Sequence, residues 1–157
     1  MGSDSDMDVM KKAVKLLKEL GITYDLVIAS AHRTPGRTTQ LAVNAEKNGI
    51  EVIIAGAGMA AHLAGVLAAH TIVPVIGVPI DSSPLHGIDS LLSTVQMPPG
   101  VPVATMAIGK AGAKNAAIFS AQIIGLKDPK VAKKLRAFKK KMAEDVEKKS
   151  KALKKHR

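Results

Sequence analysis

An α/β domain built on a parallel sheet is the fold class that the sequence predicts, and three observations predict it. Short, almost purely apolar runs at residues 24–29, 51–55, 74–79 and 103–108 read as strands covered on both faces. Between them lie segments with helical apolar spacing, bounded by Gly or Pro. Polar or glycine-bearing loops follow the strands, at the edge where open parallel sheets bind ligands.

Ser30-Ala31-His32-Arg33-Thr34-Pro35 is the stretch around which the others are arranged. It lies where the strand at 24–29 hands over to a helix opened by Pro35. Histidine titrates nearest neutrality and can give and take a proton. Arginine beside it offers a planar fork for phosphate or carboxylate. A proton shuttle with an anion clamp and a solvated loop with a space-filling histidine both remain open on position alone.

Taken in order, the chain opens with Gly2-Ser3-Asp4-Ser5-Asp6 before a helix over 7–20, which carries Met10, Ala13, Val14, Leu17 and Leu20 on one face and ends at Gly21. Ser3, Ser5 or Asp6 can cap that helix, or backbone N–H groups and a carboxylate can cradle a phosphate or a polyol. The helix opened by Pro35 spans 35–48, with Gly49 ending it. The strand at 51–55 leads into Gly56-Ala57-Gly58 and a helix running to about residue 70, with His62 one turn inside. Residues 80–86 form a loop after the third strand, and 87–96 a helix. Met97-Pro98-Pro99-Gly100 breaks the chain. Gly109 opens an alanine-rich helix to about Gly125, and its Gly-Lys-x-Gly lacks the spacing of a P-loop; Lys110 reads as an anion contact or a solvated lysine. His70 reads as a packed or interface residue.

The net charge of +10 belongs to a tail. Residues 1–126 carry nine Lys/Arg against nine Asp/Glu, whereas 127–157 carry fourteen against four. That tail begins with Asp128-Pro129 and places Val131, Leu135, Phe138, Met142 and Val146 on one stripe of a basic helix, frayed from about residue 150. Such a helix packs on its own body or on a neighbouring subunit; a nucleic-acid arm lacks interleaved aromatics. With no cysteine, disulfides and thiolate catalysis are excluded. No apolar span of about 20 residues or signal peptide is present, so a soluble cytoplasmic protein, with neither nucleic acid nor membrane as partner, is expected.

Three loops in this order and spacing closely resemble the PurE family: Gly2 to Asp6, Ser30 to Pro35, and Ala55-Gly56-Ala57-Gly58 through Ala60-Ala61-His62-Leu63. Asp89-Ser90-Leu91-Leu92-Ser93, Val95-Gln96-Met97-Pro98 and the run from Ala107 to Ala113 also match, so the resemblance covers about residues 2–126. It points to the class I members, the N5-carboxyaminoimidazole ribonucleotide mutases of purine biosynthesis. It implies a flavodoxin-like three-layer α/β/α sandwich, here with the basic amphipathic helix appended, as a homo-octamer with active sites where subunits meet. It implies a small-molecule substrate, an aminoimidazole ribonucleotide, and no ATP, metal or biotin. By resemblance His32 is the general acid/base. Ser3, Asp6 and Arg33 hold the ribose-phosphate end, and Ser30, Gly58 and His62 line the pocket around the base.

The chain departs from the family pattern at Met59, where a small residue is usual, at Ala64, where proline is common, and at His86. The family also has a short apolar strand ahead of the Gly-Ser-Asp-Ser-Asp motif, so either the true start lies upstream of Met1 or a gap between neighbouring strands is expected. Two further readings are the class II reaction, direct carboxylation by carbon dioxide, and a nucleotide-binding relative without turnover. Nucleic-acid binding through 127–157 rests on charge alone.

Overall fold

The computed structural model describes residues 1–154 and contains six α-helices, α1 (Met7–Leu20), α2 (Pro35–Val43), α3 (Leu63–Ala68), α4 (Ile88–Val95), α5 (Gly109–Gly125) and α6 (Pro129–Lys154), with a 3-10 turn at Asp4–Asp6. Three strands, β1 (Ile53–Gly58), β2 (Val75–Ile80) and β3 (Ala104–Thr105), form a parallel sheet in the order β1-β2-β3. Ile53 is in register with Val75, and Ile76 with Ala104.

β2 is central and buried along its whole length, which is why its sequence is apolar throughout. Strand alternation sorts its side chains into two layers. Ile76, Val78 and Ile80 face α1, α5 and α6, where Met10, Ala13, Leu17 and Val131 complete the larger core. Val75 joins Ala42, Ala55, Leu63, Ala64 and Leu67 on the α2/α3 face. α5 approaches the sheet closely because its inward residues are Ala113, Ala116, Ala117 and Ala121, all fully buried. A Cβ at Gly112 would stand 1.6 Å from the Ala107 carbonyl oxygen, so only glycine permits the turn into α5.

The expected strand at 24–29 is not one. Those residues are extended but are not part of the sheet, because no full strand lies beside them to complete a ladder. Two residues do the pairing instead. The Met1 ammonium donates to the Val27 carbonyl (2.9 Å), Ala29 N–H donates to the Met1 carbonyl (2.9 Å), and Gly2 N–H donates to the Gly56 carbonyl (3.0 Å). Met1 and Gly2 thus form a one-strand-wide splice, and the spatial order 24–29, splice, β1, β2, β3 is flavodoxin-like. Beyond the splice, residues 23–27 and 51–55 border a cavity of about 710 Å³.

Other boundaries shift for local reasons. α2 ends at Val43 and turns carry the chain to Gly49, short of the expected Asn48 end. Gly56 and Gly58 belong to β1 rather than to a following loop, and His62 caps α3 rather than lying inside it. β3 is two residues long against an expected six, since it pairs on one side only. α6 is helical through Lys154 rather than fraying at 150, and residues 155–157 lie outside the described residues. Its first half packs Val131, Leu135 and Phe138 on the core, whereas Met142 and Val146 are exposed. Lys110 pairs with Asp8 at 2.6 Å, and Lys127 pairs with Glu51. Among the described residues no helix is long and apolar enough to cross a membrane.

Two outcomes follow from this packing. Gly112→Ala should lower stability in urea unfolding by at least about 2 kcal/mol, since a backbone carbonyl has no room to yield. Burial also pushes the Met1 ammonium below its ordinary pKa of 8.0, against a smaller opposing effect of Asp6. Between the lowered value and 8.0 the unfolded chain binds more protons, so stability should rise with pH across that window and level off above it. Thermal melts across the window check this, and acetylating Met1 should abolish the amine's contribution.

Candidate active site

The turn after residues 24–29 is closed by its own side chains. Thr34 N–H and Oγ1 both donate to the Ser30 carbonyl (2.9 and 3.1 Å), and Arg33 N–H donates to Ser30 Oγ (3.1 Å). Ser30 therefore shapes the loop, and His32 and Arg33 are left exposed at its tip. The Arg33 guanidinium reaches back to donate to the Gly2 carbonyl (3.1 Å), which ties the loop to the splice.

Gly2 leads directly into the Asp4–Asp6 turn. Ser3 is its cap: Ser3 Oγ accepts from Ser5 N–H (3.4 Å), and Ser3 N–H donates to the Asp6 carboxylate (2.9 Å). Ser3 thus caps the Asp4–Asp6 turn rather than α1, whose own cap position, Asp6, makes no side-chain capping bond, and Asp6 lies inside the fold. Burial raises the Asp6 pKa, against hydrogen bonds from Ser3 and Gly2 and the charges of the N-terminus and Arg33, which lower it. Asp4 is exposed and lies below its ordinary value, chiefly through the hydrogen bond from the Ser3 hydroxyl.

His62 arrives from the next strand. β1 ends at Gly58, whose absent side chain makes room for Ser82; a Cβ there would stand 1.8 Å from Ser82 Oγ. The chain then turns through Met59 and Ala60 to Ala61, whose N–H donates to Ser93 Oγ on α4 (3.0 Å). The same hydroxyl donates to the Asp89 carbonyl (2.6 Å), so α4 props the loop that presents His62. His62 Nδ1 lies 2.8 Å from His32 Nε2, with the rings edge to face, 4.9 Å between centroids and 82° between planes. One of these nitrogens must carry a proton and the other a lone pair.

Every residue that the sequence marked as a site candidate therefore lies at the carboxyl edge of the sheet or on the splice beside it. Ser3, Asp6 and Arg33 meet through Gly2, and His32 meets His62 across thirty residues of chain. Ser82 and Ser93 were not singled out, although Ser93 falls one helical turn after Asp89, the spacing that lets a serine bond back to that carbonyl. Leu85, Ile88, Leu92 and Val95 leave an exposed apolar face on and before α4.

Met59 is one departure with a visible consequence. Its φ is +56°, a left-handed conformation that costs an L residue about 1–2 kcal/mol and a glycine nothing. Its side chain is 59 % exposed, so no packing offsets that strain. Met59→Gly should raise stability by up to about 1 kcal/mol after the entropy of glycine is set against the relief, whereas Met59→Val should lower it; chemical denaturation of the two variants checks both signs.

A doubly wound α/β domain with a hydrogen-bonded histidine pair and an arginine gathered at the carboxyl edge of its sheet has the arrangement of a ligand-binding scaffold. The sequence model of the AIR carboxylase family matches residues 1–145, and the chain belongs to that family, PurE. It is 57% identical over 153 residues to the N5-carboxyaminoimidazole ribonucleotide mutase of Pyrococcus horikoshii, covering 98% of this chain and 85% of that protein. The protein of the same name from Thermotoga maritima is 56% identical, with 98% and 88% covered. The crystal structure of Treponema denticola PurE superposes with a TM-score of 0.86 at 29% identity, covering 98% of this chain and 95% of that one.

Proposed function

We propose that this chain is an enzyme of purine biosynthesis, a mutase that converts N5-carboxyaminoimidazole ribonucleotide to 4-carboxy-5-aminoimidazole ribonucleotide. The observation that carries the reading is the His32–His62 contact at 2.8 Å on the carboxyl edge, in a chain 57% identical to a protein of that name.

The chemistry explains the residue types. Breaking the N–CO₂ bond leaves its electron pair on the exocyclic nitrogen, which takes a proton. Ring carbon C4 then attacks the released carbon dioxide. The C4 proton must leave to restore the aromatic ring. The first step consumes the proton that the last returns, so one histidine, His32, serves both. General acid–base action of this kind contributes about 10²–10⁴-fold. Holding carbon dioxide next to C4 supplies an effective concentration that bulk solution lacks. Gly56, Ala57, Gly58, Ala60 and Ala61 leave room for it.

In this reading His62 receives or supplies the other end of the His32 hydrogen bond until the substrate base displaces it. Arg33 meets the phosphate, with Ser3 and Asp6 at the ribose end, and Ser30 and Gly58 beside the base. Asp6 acts chiefly by holding Ser3 in place, since its carboxylate already accepts from Ser3 N–H.

The site of one chain is open, since His32, Arg33 and His62 are all exposed. A homo-oligomer, by resemblance an octamer, would enclose it, with the apolar face on and before α4 and the exposed half of α6 turned towards neighbouring subunits. The basic tail then serves assembly, and the enzyme works in the cytoplasm on a small molecule.

Turnover of N5-carboxyaminoimidazole ribonucleotide without ATP tests the reading. The parent should turn it over, and His32→Asn should lose about 10²-fold or more in kcat while still binding the nucleotide. A variant within tenfold of the parent would remove His32 as the proton carrier. Activity on aminoimidazole ribonucleotide plus bicarbonate, with none on the N-carboxylated substrate, would assign the direct carboxylation instead.

A further inference from the structure

Two loops present the two histidines, and they are held in different ways. The turn that carries His32 is closed by its own polar side chains, Ser30 and Thr34. The loop that leads into His62 is Met59-Ala60-Ala61, and none of its side chains bears a hydroxyl, amide or carboxylate. Its first residue is in the left-handed region, at φ +56°. Its last, Ala61, is buried, where a backbone N–H left without a partner is costly. A loop of this composition must take its constraint from elsewhere in the fold.

That constraint comes from α4. Ser93 Oγ accepts from Ala61 N–H at 3.0 Å. A serine hydroxyl has one proton to donate, and the distances show where it goes. The Asp89 carbonyl, one helical turn back, is 2.6 Å away, whereas the carbonyls of Met59 and Ser90 are each at 3.4 Å. With its proton committed to its own helix, Oγ turns a lone pair to the loop. The helix beneath it is itself fixed. Ser90 Oγ bonds to the Ile80 carbonyl at the end of β2 (3.0 Å), and Thr94 Oγ1 donates to the Ser90 carbonyl (2.7 Å), both inside the core.

His62 is the next residue after Ala61. Its N–H donates to the Ala60 carbonyl (2.9 Å), and its carbonyl accepts from Val66 N–H in α3 (2.9 Å), so the loop sets its backbone on one side and the helix on the other. Its exposed ring then meets His32 Nε2 at 2.8 Å. A hydrogen bond between two rings set edge to face tolerates little displacement, because it weakens steeply with angle and length. Rotation of the Ala61 peptide is the motion that would swing the His62 ring out of line, and the bond to Ser93 opposes it.

We propose that Ser93 is a positioning residue for the histidine pair: its hydroxyl bonds to neither ring, and it acts by accepting from Ala61 N–H and so fixing His62 against His32. The kinetic consequence rests on the mutase reading above, whereas the fixed geometry of the pair is a property of the resting protein.

Imidazole nitrogen NMR of the full chain, at alkaline pH where both rings are neutral, tests this without turnover. In the parent each ring should show one tautomer, since one facing nitrogen donates and the other accepts. Ser93→Ala should leave both rings averaging between tautomers, and Ser93→Thr, which keeps the hydroxyl, should hold them fixed. Ser93→Cys, near serine in size and a weak acceptor, takes the place of alanine if Ser93→Ala does not fold. Ser120→Ala deletes a buried hydroxyl of the same kind from α5, bonded to the Ala116 carbonyl, and should leave both rings unchanged. In turnover, kcat of Ser93→Ala should fall roughly 10–100-fold with KM within about threefold, because a misplaced proton carrier weakens the transition state more than binding. Fixed tautomers in Ser93→Ala or Ser93→Cys would overturn the proposal, as would averaging in the parent or in Ser93→Thr, or equal averaging in Ser120→Ala. Fixed tautomers in a parent without turnover, lost in Ser93→Ala, would remove the mutase reading and uphold the positioning role.

Discussion

Three backbone hydrogen bonds made by Met1 and Gly2 hold the two halves of the site together. One half, residues 24–35, carries His32 and Arg33. The other, β1 and the loop after it, carries His62. The splice bonds to both, and the Arg33 guanidinium adds a fourth link through the Gly2 carbonyl. Residues 24–29 have little else to fix them, since several of their large side chains, including Leu26 and Ile28, are exposed. The 2.8 Å separation of the histidines is thus a long-range consequence of a two-residue pairing.

Small residues set the remaining distances. Gly56 lets Met10 of α1 close over β1, Gly58 admits Ser82, and Gly77 admits Thr94 of α4. Alanines on α5 bring that helix down onto β2. Close approach in turn buries hydroxyls, which bond back to backbone carbonyls instead of to water: Ser90 to Ile80 and Gly87, Thr94 to Ser90, Ser120 to Ala116. In α4 that network continues to Ser93 and so to the loop under His62. Scaffold packing and the orientation of a reacting group are here parts of one network.

Much of this was legible in the chain. Helices α1 and α5 match the ranges predicted from apolar spacing and glycine stops, because those signals are local. The residues at the carboxyl edge were also readable, since loop chemistry is written in residue type and the three motifs match a family. Pairing was not. The run at 24–29 has the composition of a strand, but a strand is defined by its neighbour, and the neighbour here is two residues long. β3 was over-read for the same reason. The His32–His62 contact joins positions thirty apart, which no local pattern encodes, and the strain at Met59 is a property of backbone dihedrals that its side chain does not announce.

The dependence of the site on the splice is tested most directly by amide hydrogen exchange at Ala29, read by NMR beside the amides of Asp25, Val27 and Ile53. Ala29 N–H is bonded to Met1, and Ile53 N–H to Pro74 within the sheet. Protection at Ala29 approaching that of Ile53, with Asp25 and Val27 exchanging freely, is the predicted result. An Ala29 amide that exchanges as fast as Asp25 and Val27 would contradict it, and the histidine pair would then need some other constraint to hold it in register.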